Sequence, residues 1–115
     1  MPGKYDSIIA ERNKVEFLNI DAIVYIIKCY DNSEVFYKVG ITTDTVSNRL
    51  YGENKMPYDY TVVKEISTNL YDAIYLEEEL QQLHKPHSYT PKKEFGGYTE
   101  CFNRLNIEYI KKLAS

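Results

Sequence analysis

The sequence predicts an α+β fold: a small three-stranded antiparallel sheet flanked by helices. Three observations predict it. The β-branched and aromatic run Ala22–Tyr30 is followed by the turn triplet Asp31–Ser33 and a second such run, Glu34–Ile41, which together read as a hairpin. A third strand-like run, Tyr60–Ile66, precedes the longest helical pattern, Leu70–His84. The resulting order, ββαβα plus a C-terminal helix, does not alternate as a doubly wound sheet does, and no G-x-G-x-x-G or P-loop sequence occurs.

Each element has a local reason. Residues 1–21 read as an N-terminal extension, with a short helix over Asp6–Lys14, ahead of a folded domain over 22–115. Asp44 is the expected N-cap of a short helix over Val46–Tyr51, in which Val46 and Leu50 share a face. Ser67 or Asn69 would cap the Leu70–His84 helix, and Pro86 ends it. A loop then runs through Pro91 and the Gly96-Gly97 pair. The last helix, Asn103–Leu113, places Leu105, Tyr109 and Leu113 on one stripe with Ile110 beside it.

Composition bounds the function. A chain of 115 residues is one domain's worth. Its 14 Lys+Arg against 17 Asp+Glu give a net charge of −3, which argues against coating nucleic acid through overall charge. Apolar runs are too short to span a bilayer, and the N-terminus lacks the apolar stretch of a secretory signal, so a cytoplasmic protein without a membrane partner is expected. Cys29 and Cys101 form no disulfide framework and no zinc spacing; they read as reduced, buried thiols.

One carboxylate stands on the wrong face. At about 100° per residue, Glu77 points with Leu70, Ala73, Ile74 and Leu80, and Leu76 and Leu83 continue the apolar arc. His84 falls nearly in line with Glu77. Glu78 lies near the edge and Glu79 on the far side, as a solvated acidic run would. A carboxylate turned toward a core needs a cation, a metal or a cleft, unless it snorkels to water at the rim.

Together these residues resemble the GIY-YIG nuclease superfamily, in its divergent, largely phage- and virus-encoded branch. Ile23-Val24-Tyr25 matches the first triplet and Lys38-Val39-Gly40, followed by Ile41-Thr42, the second. Arg49 matches the arginine of the next helix, and Ala73-Ile74-Tyr75-Leu76-Glu77-Glu78-Glu79-Leu80 matches the pattern around the metal-binding Glu. Lys85-Pro86 and Gly97-Tyr98-Thr99-Glu100-Cys101-Phe102 follow in order. Ile23 and Lys38 stand where the superfamily has Gly and Tyr, and the frequent Asn after Lys-Pro is not present at Ser88 or Tyr89.

The resemblance implies a metal-dependent endonuclease that hydrolyses or nicks phosphodiester bonds, with DNA ahead of RNA as substrate. Catalysis would fall to Tyr25, Lys38, Arg49 and Glu77. Glu77 would hold one Mg²⁺ (or Mn²⁺), an ion that keeps most of its water shell. Arg49 would grip the phosphate with its planar fork. Tyr25 would contact or deprotonate the attacking water; a free phenol titrates near ~10, so the role calls for a nearby cation such as Lys38, which would supply that charge or itself bind the phosphate. Gly40 would let the backbone approach substrate. The segment His84–Lys93 holds three Lys and both His of the chain, one Tyr and no acid. His84, Lys85, Lys92 and Lys93 are therefore candidate nucleic-acid contacts. Tyr37, His87 and Glu100 are candidate supporting residues, and Tyr37 should face the side opposite Lys38. A homodimer or partner protein would add specificity, and a phage-encoded protein would work in the host cytoplasm. Two rivals stand beside this reading. One is a GIY-YIG-fold nucleic-acid-binding module with impaired catalysis, motivated by Lys38 in place of Tyr. The other is an acidic protein-binding or inhibitory factor, motivated by the net −3.

Overall fold

A computed structural model describes residues 6–50, 56–95 and 100–113. Tyr51, the Gly96-Gly97 pair and the Gly97–Thr99 part of the last motif lie outside the described residues. Ten-residue strand β1 (Asp21–Tyr30) turns into β2 (Val35–Thr42), and β3 (Asp59–Asn69) pairs with β1 on its other side; both pairings are antiparallel. The predicted hairpin turn forms as an Asx turn: Asp31 Oδ1 accepts from the N–H groups of Ser33 (2.8 Å) and Glu34 (2.9 Å). The class is α+β as expected, but among the described residues the sheet has four strands in the order β3-β1-β2-β4. The additional strand, β4, is only Cys101–Phe102, which pairs with Lys38 and Tyr37 of β2. Two residues carry no periodicity, so the sequence gives this strand no signal.

Five α-helices surround the sheet among the described residues: α1 (Ser7–Arg12), α2 (Lys14–Leu18), α3 (Val46–Leu50), α4 (Leu70–Leu83) and α5 (Ile107–Lys111). Asn69 is the cap of α4, accepting from Asp72 N–H at 2.8 Å. Thr45, not Asp44, takes the first orphan donor of α3, its Oγ1 accepting from Asn48 N–H at 3.1 Å. Asp44 instead braces that turn through the Asn48 amide. Pro86 sits in a 3₁₀ turn, Lys85–His87, directly after α4. The last helix is shorter than predicted. Its expected first residues stay extended because Asn103 N–H donates to His87 O (2.9 Å) and Asn106 N–H to His84 Nε2 (2.8 Å).

Alternation along β1 and β2 divides the core into two layers. Val24, Ile26 and Val39 face Ala10, Leu70, Ala73, Ile74, Leu80 and Ile110, so α1, α4 and α5 share this side. Tyr25, Ile27, Cys29 and Phe36 face Val46, Leu50, Met56, Tyr58 and Cys101, so α3 lies on the other. Leu83, expected to extend the apolar arc, is exposed, and His84 takes the inner position. The first helices are part of this core: Ala10 is buried, Leu70 N–H donates to Ile20 O at 2.8 Å, and Ser7 N–H donates to Glu78 Oε1 at 3.0 Å. Among the described residues no helix is long and apolar enough to cross a membrane.

Candidate functional site

The β1–β2 register sets Tyr25 opposite Gly40 and Ile27 opposite Lys38, so Tyr25, Gly40 and Lys38 share one face of the sheet. Tyr25 is 0 % and Lys38 1 % exposed. The Lys38 ammonium donates to the Tyr25 hydroxyl at 3.2 Å and lies 5.1 Å from the centre of its ring. Gly40 makes this packing feasible. A Cβ there would fall 2.4 Å from Cζ and Oη of Tyr25 and 2.8 Å from Lys38 Nζ. The glycine was expected to admit substrate; the space above it is instead filled by the phenol and the ammonium.

Two acids reach the electrostatic range of this pair. Burial pulls the Lys38 ammonium down, but Tyr25 and then Glu100 outweigh it and hold the group above its ordinary value. Glu77 is half-buried on α4. Its carboxyl stands well above the usual carboxylate range, first because of burial and then because of Glu100, with Lys38 acting in the opposite sense. Glu100 directly precedes β4, whose Cys101 pairs with Lys38, and Gln81, one turn beyond Glu77, reaches Glu100 Oε2 at 3.5 Å. Tyr25, Lys38, Glu77 and Glu100 therefore form one linked group. Among the described residues no cluster of three or more His, Cys, Asp or Glu side chains could hold a metal ion. The available donors are the two carboxyls. Close enough for Glu100 to raise Glu77 in a partly desolvated corner, they are a donor set that suits a hard divalent cation completing its shell with water.

Arg49 is half-buried on α3, whose Val46 and Leu50 pack on the Tyr25 and Lys38 side of the sheet, whereas α4, which carries Glu77, packs on the opposite face. Among the described residues no hydrogen bond or ion pair joins Arg49 to Tyr25, Lys38 or Glu77.

The basic segment also divides. His84 is 2 % exposed; its Nδ1 lies 2.7 Å from Leu80 O, and its Nε2 accepts from Asn106 N–H. Both ring nitrogens are used and the ring packs edge-on against Phe102, so His84 joins α4 to the α5 approach and is not free to meet a phosphate. Lys85 and Lys92 are exposed and His87 half-buried. Lys93 pairs with Asp31 at 3.2 Å and lies over the Tyr58 ring. Tyr37 does face away from Lys38, packed against the aliphatic layer.

Sequence reasoning missed Glu34. It is 5 % exposed and accepts from Tyr58 Oη (2.5 Å), Tyr89 Oη (2.6 Å) and Lys92 N–H (3.0 Å). Burial raises its carboxyl, but these three donors outweigh burial and leave it below the ordinary carboxylate value. Asp31 and its turn were legible as punctuation; nothing local to Glu34 marks it as buried.

The family model of the T5orf172 domain matches residues 22–115. That domain occurs in phage proteins and is related to GIY-YIG-like and HNH-type nucleases. Among curated proteins and among solved structures, none matches the chain significantly.

Proposed function

Because the chain belongs to the T5orf172 domain family, we propose that it is a small divalent-metal-dependent endonuclease that nicks DNA. One observation supports the reading: Glu77 and Glu100 lie within electrostatic range of the buried Tyr25–Lys38 pair. Glu77, with Glu100 beside it, would hold Mg²⁺ or Mn²⁺. When bound, the ion supplies neutralising charge at the phosphate and a more acidic water.

The protein's own residues do the rest. Glu77 and Glu100 are the partly exposed members, so substrate meets the site on their side. Lys38 holds positive charge against the Tyr25 hydroxyl and so holds the phenol in place over Gly40. Tyr25 accepts that bond, and its own O–H is the donor that would orient an attacking water admitted to the corner. Arg49, Lys85 and Lys92 carry backbone contacts outside the corner, which suits weak, salt-sensitive binding.

A second reading has its own support. Tyr25 and Lys38 are almost wholly covered, which favours a DNA-binding module whose polar pair serves the fold alone. Nicking of a supercoiled plasmid with Mg²⁺, Mn²⁺ or EDTA separates the two. The nuclease reading expects metal-dependent nicking that falls about 10²-fold or more in Glu77→Gln and Lys38→Met, with DNA binding retained. Nicking that survives Glu77→Gln unchanged rejects the proposed site. Binding without cleavage under every metal condition selects the second reading.

A further inference from the structure

Two acids of the β1–β2 turn hold one basic segment, Glu34 by its backbone and Asp31 by the Lys93 ammonium. Glu34 Oε1 accepts both Tyr89 Oη and Lys92 N–H, and Glu34 Oε2 accepts Tyr58 Oη. The same Tyr58 oxygen accepts Lys93 N–H at 3.1 Å. Asp31 accepts Ser33 and Glu34 N–H groups on Oδ1 and meets the Lys93 ammonium with Oδ2. Below these bonds, Phe36 stacks on Tyr89 (5.5 Å between ring centres) and meets Tyr58 edge-on (4.8 Å). At the other end Tyr89 N–H donates to Cys101 O at 2.9 Å. Residues 89–93 are therefore fixed at successive points, with the Lys92 side chain left exposed.

This placement is costly for a surface turn. A carboxylate is taken out of water and needs three donors to offset the loss. Two of those donors are tyrosines from distant parts of the chain, and the third is the backbone of the residue whose ammonium is left outward. A turn needing only an anchor for stability could use apolar contacts, which Phe36 already supplies.

We infer that Glu34 is a positioning residue for nucleic-acid binding: it fixes the Tyr89–Lys93 backbone so that the Lys92 ammonium meets a DNA phosphate. The inference rests on the nucleic-acid reading given above. Glu34 touches no substrate; it acts through the fixed backbone of Lys92. Asp31 has a different part, since it neutralises Lys93 and leaves Lys92 as the free charge of the segment.

A double-mutant cycle on the full chain tests it, with binding of a short DNA duplex measured across a salt series. In the wild type, Lys92→Ala is expected to weaken binding and to lower the slope of log affinity against log salt by about 0.9, the signature of one phosphate contact. In Glu34→Gln, amide exchange at Lys92 and Lys93 should speed up, and adding Lys92→Ala should then change neither affinity nor slope. Tyr89→Phe, which removes one donor and keeps the ring stack, provides the same cycle in a milder background should Glu34→Gln fail to fold. Equal losses from Lys92→Ala in all backgrounds overturn the inference while leaving DNA binding intact. A wild type that binds no DNA at low salt overturns the nucleic-acid reading, and this inference with it.

Discussion

The two faces of the sheet are built by opposite means. On one, Val24, Ile26 and Val39 meet aliphatic side chains of α1, α4 and α5. On the other, the layer is threaded with polar atoms: the Tyr25 hydroxyl, the Lys38 ammonium, and the Glu34 carboxylate with its two tyrosines. The first face is held by area and close packing, which tolerate no loss of volume. The second is held by satisfied polar networks, in which each member depends on its partners. Among the described residues, every buried side-chain nitrogen and oxygen has a hydrogen-bond partner, so the polar face is complete. The difference teaches where function can reside. Among the described residues the Tyr25–Lys38 pair and the Glu34 carboxylate lie within the polar layer, and Glu77 of α4 and Glu100 beside β4 act on Lys38 from its border.

The sharpest way to break this comparison is a cavity in the aliphatic face. Leu80→Ala removes a fully buried side chain and is expected to cost about 2–5 kcal/mol. Denaturant unfolding measures it. An equal cost from a polar-face variant that keeps its hydrogen bonds would erase the distinction.

A smaller effect comes from overfilling the polar face. Gly40→Ala puts a methyl group against backbone-fixed Tyr25 and Lys38 and should cost about 1–3 kcal/mol. Adding Tyr25→Phe, which removes the hydroxyl that the methyl would strike, should recover part of that loss. No recovery would mean that the strand, and not the phenol, is the obstacle.

The smallest effect is pH dependence. The Ser33 N–H bond, followed by Lys93 and the other turn donors, holds the Asp31 carboxyl down to about 2 despite some burial. A lowered carboxylate contributes stability that is fully present above its unfolded value, near 3.8, and is lost as pH falls toward about 2. Asp31→Asn should therefore unfold more easily than wild type at neutral pH, and the gap should close across that window. Glu77 has the opposite sign: its raised carboxyl is without cost below its ordinary value, near 4.5, and increasingly costs stability as pH rises from there through about 8, so Glu77→Gln should melt higher at neutral pH without metal.

Much of the fold was legible because strands and helices leave period-2 and period-3.6 patterns. Ala22–Tyr30, Glu34–Ile41 and Leu70–His84 each fall within a residue or two of the observed elements. The turn at Asp31 was legible because its side chain acts on its own neighbours. The inward Glu77 was legible for the same reason: helix periodicity alone places it with the apolar stripe. His84 was in line with it too, but only its distant partner, Asn106 N–H, decides that the ring is an internal brace. The pairing of Glu34 with Tyr58 and Tyr89 could not be read, since those contacts join residues 24 and 55 positions apart.

By itself, then, the sequence determined the α+β class, the β1–β2 hairpin and the carboxylate turned inward on α4, because each follows from local backbone preference and side-chain spacing. The tertiary structure decided the rest. It laid Tyr25 across Gly40, brought Lys38 to the phenol, added β4 beside β2, set Glu100 near Glu77, and placed Arg49's helix on the Tyr25 face, across the sheet from α4. Those outcomes depend on which surfaces meet when distant segments are desolvated together, and no spacing along the chain encodes that.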